Sequence, residues 1–411
     1  MFWKIYARQG MQLFSKVSLF NTTPYLIKLC QSFNGIWRPI KGNQNMQTDI
    51  LIIGGGLSGL TATWQLRNAG INASVMEART RFGGRILTVG GDDGADCDLG
   101  PSWFWPGQPL VASLLNHFNI PYYEQFVDGV VLFQKMDGRI DRTIGSSPMA
   151  GSRRIQGGIN HLTDAIANKI DAPHRFLEHV VTGLSINRDV ITVDVMGSSG
   201  KIQVQAKQVA VAIPPRLAAD LTFVPELPTK TMQTLAATPT WMAGHAKFFA
   251  IYDEPFWRKK GLCGTAISQR GPLAEIHDAS PNSGSTFSLF GFSGLGAKSR
   301  ESMGRSEFIR QATAQLAVLF GKKANRPKAV HFQDWSTERF TANVADRNPQ
   351  THHPQYGLNL QLGNAWDGKL EFISTETSFS NGGLIEGALE AGLRFSKRIT
   401  GLNMEANNYE M

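Results

Sequence analysis

Asp49-Ile-Leu-Ile-Ile-Gly-Gly-Gly-Leu-Ser-Gly-Leu60 decides the fold of this chain. Ile50 to Ile53 form a short apolar run that reads as a buried parallel strand. Gly54-x-Gly56-x-x-Gly59 then turns the chain into a helix with Leu57, Leu60, Trp64 and Leu66 at helical spacing. The first glycine permits the tight turn, the second lets backbone approach a pyrophosphate, and the third lets helix pack on strand. Free N–H groups at the helix start, aided by the helix dipole, stabilise phosphate charge. A second apolar stretch, Ile71 to Met76, ends at Glu77, 18 residues past Gly59, where a carboxylate can accept hydrogen bonds from a ribose diol. A lone glycine fingerprint is weak evidence. Strand, glycines, helix, second strand and acid in this order indicate a dinucleotide-binding βαβ unit.

Glu77-Ala-Arg-Thr-Arg-Phe-Gly-Gly-Arg-Ile86 follows directly. A glycine pair between arginines suits a loop passing close to the ligand, with Arg79 and Arg85 near phosphate oxygens. Gly90-Gly-Asp-Asp-Gly-Ala-Asp-Cys-Asp98 holds four aspartates, but its glycines favour a solvated hairpin over a metal site. It leads into Leu99-Gly-Pro-Ser-Trp-Phe-Trp105, a strand end and tight turn. Leu110 to Phe118 is amphipathic and predicts a helix, and Gln156 to Leu162 opens another. Val180–Ile186 and Val190–Val195 alternate as paired strands, and Gln208–Ile213 is a buried strand stopped by Pro214-Pro215. Phe248–Tyr252 and Ser285–Phe292 read as antiparallel strands, and Glu307–Phe320 as an amphipathic helix. The chain closes with a strand, Leu370–Ser374, and a helix, Leu384–Ile399, which return to complete the opening sheet.

The 411 residues, 42% hydrophobic, allow a large core and two domains. Cys30, Cys97 and Cys263 are too dispersed for a disulfide framework or a CxxC site, so a reducing, cytoplasmic setting is the simple expectation. No run is long enough to span a membrane. Residues 1–46 carry six basic side chains and no acid; taking these from the net charge of +8 leaves the rest near neutral, which argues against nucleic acid. That basic leader reads as a poorly ordered extension, with a transit-like or membrane-surface segment as the alternative.

No second glycine fingerprint follows: Gly291-Phe-Ser-Gly-Leu-Gly296 lacks the spacing. A single flavin reduced directly by its substrate therefore fits better than a two-nucleotide relay. Asp49–Leu60, Glu77–Ile86 and Leu99–Trp103 resemble the opening of the flavin-containing amine oxidases. Met242-Ala-Gly-His-Ala-Lys-Phe-Phe-Ala-Ile-Tyr-Asp-Glu-Pro-Phe-Trp-Arg-Lys-Lys-Gly-Leu-Cys-Gly264 resembles the stretch containing that family's active-site lysine. Ser374–Thr377 and Gly383–Gly392 resemble its C-terminal flavin signature. The likeness runs from about residue 47 to about 400.

The resemblance implies an α/β fold: a Rossmann-type FAD-binding domain (47–105, 150–235 and 357–411) with a discontinuous α+β substrate domain (106–149 and 236–356). It implies that Gly54, Gly56, Ser58 and Gly59 hold the pyrophosphate, with Glu77 on the adenosine ribose. Ala78, Arg79, Gly84, Arg85, Gly100, Trp103 and Glu376 would lie along the phosphate, ribityl and ring regions. Val181 would meet adenine through its backbone, and Trp335 and Ile385 would border the isoalloxazine. Lys247 matches the lysine that holds a water near flavin N5, a role that suits a desolvated amine of lowered pKa.

Three departures stand out. The flavin-tethering cysteine of monoamine oxidases falls near Pro349, so the FAD is expected to be non-covalent. Their paired amine-facing tyrosines fall near Gln350 and at Leu384, which weakens attraction for an amine over ring faces; Tyr356 or Phe379 could substitute. His352 and His353 read as structural loop residues, with acid/base work the alternative.

The expected function is oxidation of an amine by hydride transfer to flavin N5, with oxygen as acceptor and peroxide as product. Desaturation or dehydrogenation of a less basic substrate is one rival, and a non-catalytic flavin-holding protein the other. Expected partners are a small-molecule substrate and oxygen, with a homodimer as the candidate assembly.

Overall fold

The computed structural model describes residues 46–90, 96–145, 147–282, 286–348, 350, 352–357 and 365–401. The leader up to residue 45, the middle of the aspartate-rich turn and Pro349 lie outside the described residues, as does the chain beyond 401. Met46, assigned above to the leader, already pairs with Val204 as the first residue of the opening strand.

Two sheets carry the molecule. The first runs in the order Thr222–Val224, Val180–Asn187, Val190–Gly197, Gly200–Val211, Met46–Ile53, Ala73–Met76, Arg175–Phe176. Met46–Ile53 is parallel to both of its neighbours, and its residues 50 to 53 are all buried. Burial on both faces explains the unbroken apolar run in the sequence. The strand Leu370–Phe372 lies parallel against Val209–Val211, so the end of the chain does return to its opening sheet.

On one face the fingerprint helix Leu57–Asn68 packs against the C-terminal helix Ile385–Thr400. A Cβ on Gly392 would stand 2.5 Å from the Ser58 carbonyl oxygen, so the two helices approach backbone to backbone. The helix Pro109–His117, expected in the substrate unit, joins this core through Val111, Leu114 and Leu115. The Glu386 carboxylate accepts from the Leu110 and Val111 amides at 2.8 and 2.9 Å, satisfying the first turn of that helix.

The second sheet runs Ala329–Asp334, Ala246–Tyr252, Phe287–Ser293, Leu273–Asp278, Leu262–Ser268, Val130–Gln134, Ile140–Ile144. All neighbours are antiparallel except Leu262–Ser268 with Val130–Gln134. In Ala246–Tyr252 every residue is buried, yet the two faces differ. Phe248, Ala250 and Tyr252 pack beneath the helix Arg305–Phe320, while Phe249 and Ile251 join Leu99 and Phe290 on the other side. Lys247, of the same parity as Phe249, therefore points to the face turned toward the nucleotide-binding unit. Leu262–Ser268 and Leu273–Asp278 were not apparent in the sequence, where charged and polar residues interrupt their alternation.

Candidate active site

Gly54 has φ +107°, and a Cβ there would sit 2.8 Å from Ile213 Cγ2. A Cβ on Gly59 would meet the Gly54 carbonyl oxygen at 2.0 Å, so only glycine lets helix lie on strand here. Gly56 is the N-cap and offers no side-chain bond, which leaves the first-turn N–H groups of the helix for an anion. The Gly83-Gly84 pair folds over this loop: the Gly83 amide donates to the Gly55 carbonyl at 2.8 Å. A Cβ on Gly84 (φ +59°) would stand 3.2 Å from the Gly56 Cα. Arg81 steadies the pair by donating to the Gly84 and Ile86 carbonyls at 2.9 and 2.8 Å.

Glu77 is only 4% exposed, and its carboxylate accepts from the Gly55 and Arg79 amides, each at 2.9 Å. Arg79 donates to Glu338 and Thr341, so it ties the glycine loops to the segment after the second sheet. Arg85 forms a two-pronged pair with the fully buried Glu376 at 2.6 and 3.1 Å. Glu376 thus stands behind Arg85 and acts by positioning it.

A cavity of about 450 Å³ starts at these glycines and runs to the second sheet. Of the residues expected at the site, Gly54, Gly56, Ser58, Glu77, Arg79, Gly84, Arg85, Gly100, Trp103, Lys247, Trp335 and Ile385 line it. Gly59, Ala78, Val181 and Glu376 stand outside this wall. The Ser58 hydroxyl donates to the Ile373 carbonyl, so its backbone N–H is the group left for a phosphate. Val181 is half-buried in its strand; the nearby His179 amide donates to the Glu77 carbonyl at 3.0 Å.

The wall tests whether FAD fits. One end offers unpaired helix N–H groups, a backbone-held carboxylate and an arginine, as a dinucleotide needs. The other is lined by Trp103, Phe292 and Trp335, an apolar slot for a flat ring. The residues present fit the group.

Lys247 reaches the cavity from the second sheet and is 3% exposed. Its Nζ lies 2.7 Å from the Asp98 carbonyl oxygen, 2.8 Å from that of Gly100 and 2.5 Å from Ser102 Oγ. Rings surround it, with the Phe290 centroid 4.3 Å away. Burial lowers its pKa to about 7; the Asp98 charge opposes that shift and Arg154 adds to it. The chain itself fills the bonding capacity of Nζ, so a water held there must displace one of these three partners. Asp98, drawn above as part of a solvated turn, is buried: its Oδ1 accepts from Thr88 Oγ1 and the Ile159 amide.

Trp241, Glu275 and Phe340 also line the cavity without having been singled out above, and Met242, His245 and Phe292, which lie in segments already read, join them there. His245 is neutral, its pKa lowered to about 4 by burial and by Arg300. Glu275 accepts a 2.6 Å hydrogen bond from His277 Nε2. Neither Tyr356 nor Phe379 faces the cavity. Tyr356 donates to the Pro239 carbonyl at 2.9 Å behind Gly382 and Gly383, and Phe379 is exposed over Gly357. His352 and His353 are both exposed, and His353 packs edge-on to Trp241 at 4.9 Å. No group of side chains able to hold a metal ion occurs among the described residues. No helix there is long and apolar enough to cross a membrane.

Comparison with known proteins agrees with this geometry. Residues 52–118 match the family model for the NAD(P)-binding Rossmann-like domain, and residues 135–400 that for flavin containing amine oxidoreductase. A probable flavin-containing monoamine oxidase A of Dictyostelium discoideum is 25% identical, over 85% of this chain and 97% of its own. A putrescine oxidase triple mutant matches with TM-score 0.75 at 22% identity, covering 87% of this chain and all of its own. Cyclohexylamine oxidase from Brevibacterium oxydans matches at 0.72 and 19%, covering 86% of this chain and 99% of its own. With a family model spanning well over half its length, a glycine-loop cleft built for FAD and a buried lysine at the far end, this chain belongs to the flavin-containing amine oxidoreductases.

Proposed function

We propose that this enzyme oxidises a small amine bearing a second positive charge, a diamine or polyamine, with oxygen as the final acceptor. One observation carries the reading: the cavity wall holds a carboxylate, Glu275, in register with the lysine. Lys247 pairs with Phe292, and Phe292 with Glu275, across three adjacent strands. Cross-strand partners face the same side, so the lysine and the carboxylate share one face about 10 Å apart, two strand spacings. A register shift between Leu273 and Glu275 turns both Ala274 and Glu275 to the cavity.

An ionised carboxylate can only accept, so His277 Nε2 carries the hydrogen of their bond. The bond fixes the direction of the carboxylate charge at the cavity wall. That charge binds a distal ammonium and orients the chain of the substrate along the apolar wall toward Lys247. FAD bound there would supply the acceptor for a hydride from the carbon beside the reacting nitrogen. The residues around it exclude water and hold the reacting end near Lys247, whose depressed pKa limits the positive charge facing an incoming amine. The similarity to putrescine oxidase, one structure of which is bound to putrescine, supports a diamine.

The test is Glu275→Gln assayed with putrescine and with butylamine. A charge-assisted bond worth about 1.5–2 kcal/mol predicts a KM for putrescine raised about ten- to thirtyfold, with butylamine unchanged. Equal effects on both amines would sink the diamine reading, and no flavin bleaching by any amine would sink the amine reading as well.

We infer also that the FAD is held without a covalent link. The two described cysteines, Cys97 and Cys263, are buried and do not line the cavity, and burial pushes the Cys97 thiol up to about 12. Acid precipitation should leave the flavin in the supernatant. Cys97 and Cys263 form no disulfide, in keeping with a reducing, cytoplasmic setting.

A further inference from the structure

Residues 239–245 cross the cavity wall in a conformation that is held from several sides. The Tyr356 hydroxyl donates to the Pro239 carbonyl at 2.9 Å, and the Thr240 amide donates to Asp346 Oδ1 at 3.1 Å. Asp346 is itself locked by Arg216 in a buried pair at 2.5 Å. Further on, Arg300 donates to the Gly244 carbonyl at 2.9 Å, and the Trp335 amide to that of His245 at 3.0 Å. Met242 sits at φ +64°, a conformation a long side chain adopts only when its surroundings impose it. These anchors leave Trp241, half-buried, against the cavity.

The indole is braced from behind. His353 meets it edge-on at 4.9 Å, and Tyr356 meets His353 edge-on at 5.6 Å. A Cβ on Gly383 would lie 2.9 Å from Tyr356 Cε2 and 3.1 Å from Trp241 Cβ, so this row of rings exists because residue 383 has no side chain. Trp241 shares its part of the wall with Gln350, Gly383 and Leu384. Those residues offer a cation no ring face and no charge.

We propose that Trp241 is a specificity-determining residue whose indole face receives the cationic amine of the substrate. An indole is the strongest cation-attracting ring among side chains, and a preset orientation avoids an ordering cost on binding. The proposal rests on the amine reading above, but it concerns another segment and another force than Glu275.

The test uses tetramethylammonium, which has no N–H to donate and so reads ring faces and charge alone. Its binding to the holoenzyme is followed through the visible spectrum of the flavin, so no turnover is needed. Trp241→Leu, which fills the space without a ring, should weaken it about tenfold, and Trp241→Phe by about threefold or less. Flavin content and the resting spectrum should match wild type in both. An unchanged affinity in Trp241→Leu overturns the proposal. So does a changed resting spectrum or lost flavin in Trp241→Phe, because that outcome places the indole against the cofactor instead. Failure of every amine to bleach the flavin while these affinities behave as stated would remove the proposed reaction but keep the cation site.

Discussion

The two ends of the cavity are built on different principles. At the glycine-loop end recognition is by backbone: Gly54, Gly56 and Gly84 remove side chains, helix N–H groups are left open, and Glu77 is held by the amides of Gly55 and Arg79. At the sheet end it is by side chains, with Lys247, Glu275, Trp241 and Trp335 arriving from separate strands and loops. A backbone cradle suits a constant ligand part such as a pyrophosphate. A wall of side chains can change residue by residue and so set which substrate enters.

Breaking the backbone end should have the largest effect. Gly59→Ala puts a Cβ 2.0 Å from the Gly54 oxygen, so the helix must lift from the strand. The expected product is colourless or insoluble protein, read by visible absorbance and thermal unfolding.

The sheet end should fail differently. Lys247→Met should keep flavin yet slow its reduction or reoxidation about 100-fold, the lower range for a lost proton-handling group. It should also remove an ionisation near pH 7 from the kcat/KM profile. The stability consequence has a definite sign. The folded pKa of about 7 lies below the ordinary 10.5, so the unfolded chain binds more protons between those values. Apoprotein stability should therefore rise with pH across that window, and Lys247→Met should flatten the slope in denaturant titrations.

Glu77→Gln sharpens the contrast at smaller cost. The amide turns one of the two accepting oxygens into an NH2 that faces the Gly55 or Arg79 N–H, so a loop anchor is lost with the charge. FAD affinity should weaken by about 1.5–2 kcal/mol or more in equilibrium dialysis, with amine KM unchanged. The smallest effect belongs to Phe379→Ala. The ring is exposed and does not line the cavity, so amine KM should stay put and stability should move by about 0.5 kcal/mol or less.

The comparison also explains what could be read early. Gly54 to Glu77 is one contiguous stretch, and each residue's role follows from the φ, the missing Cβ or the helix start that its neighbours impose. Lys247 was legible through its surrounding motif, but its three partners at Asp98, Gly100 and Ser102 were not. Glu275 lies in a strand whose polar residues hid its alternation, and its facing depends on the local register shift. Trp241 stands beside a strained residue, and strain of that kind is invisible in a sequence.

Sequence by itself determined the βαβ unit, its glycine cradle, the acid that closes its second strand and the return of the chain's last strand to the first sheet. These follow from local backbone chemistry and from periodicity in contiguous residues. Only the tertiary structure decided which side chains meet at the reacting end. Strand register and the bracing of residues 239–245 set their direction, and a shift of one residue turns a side chain to the opposite face.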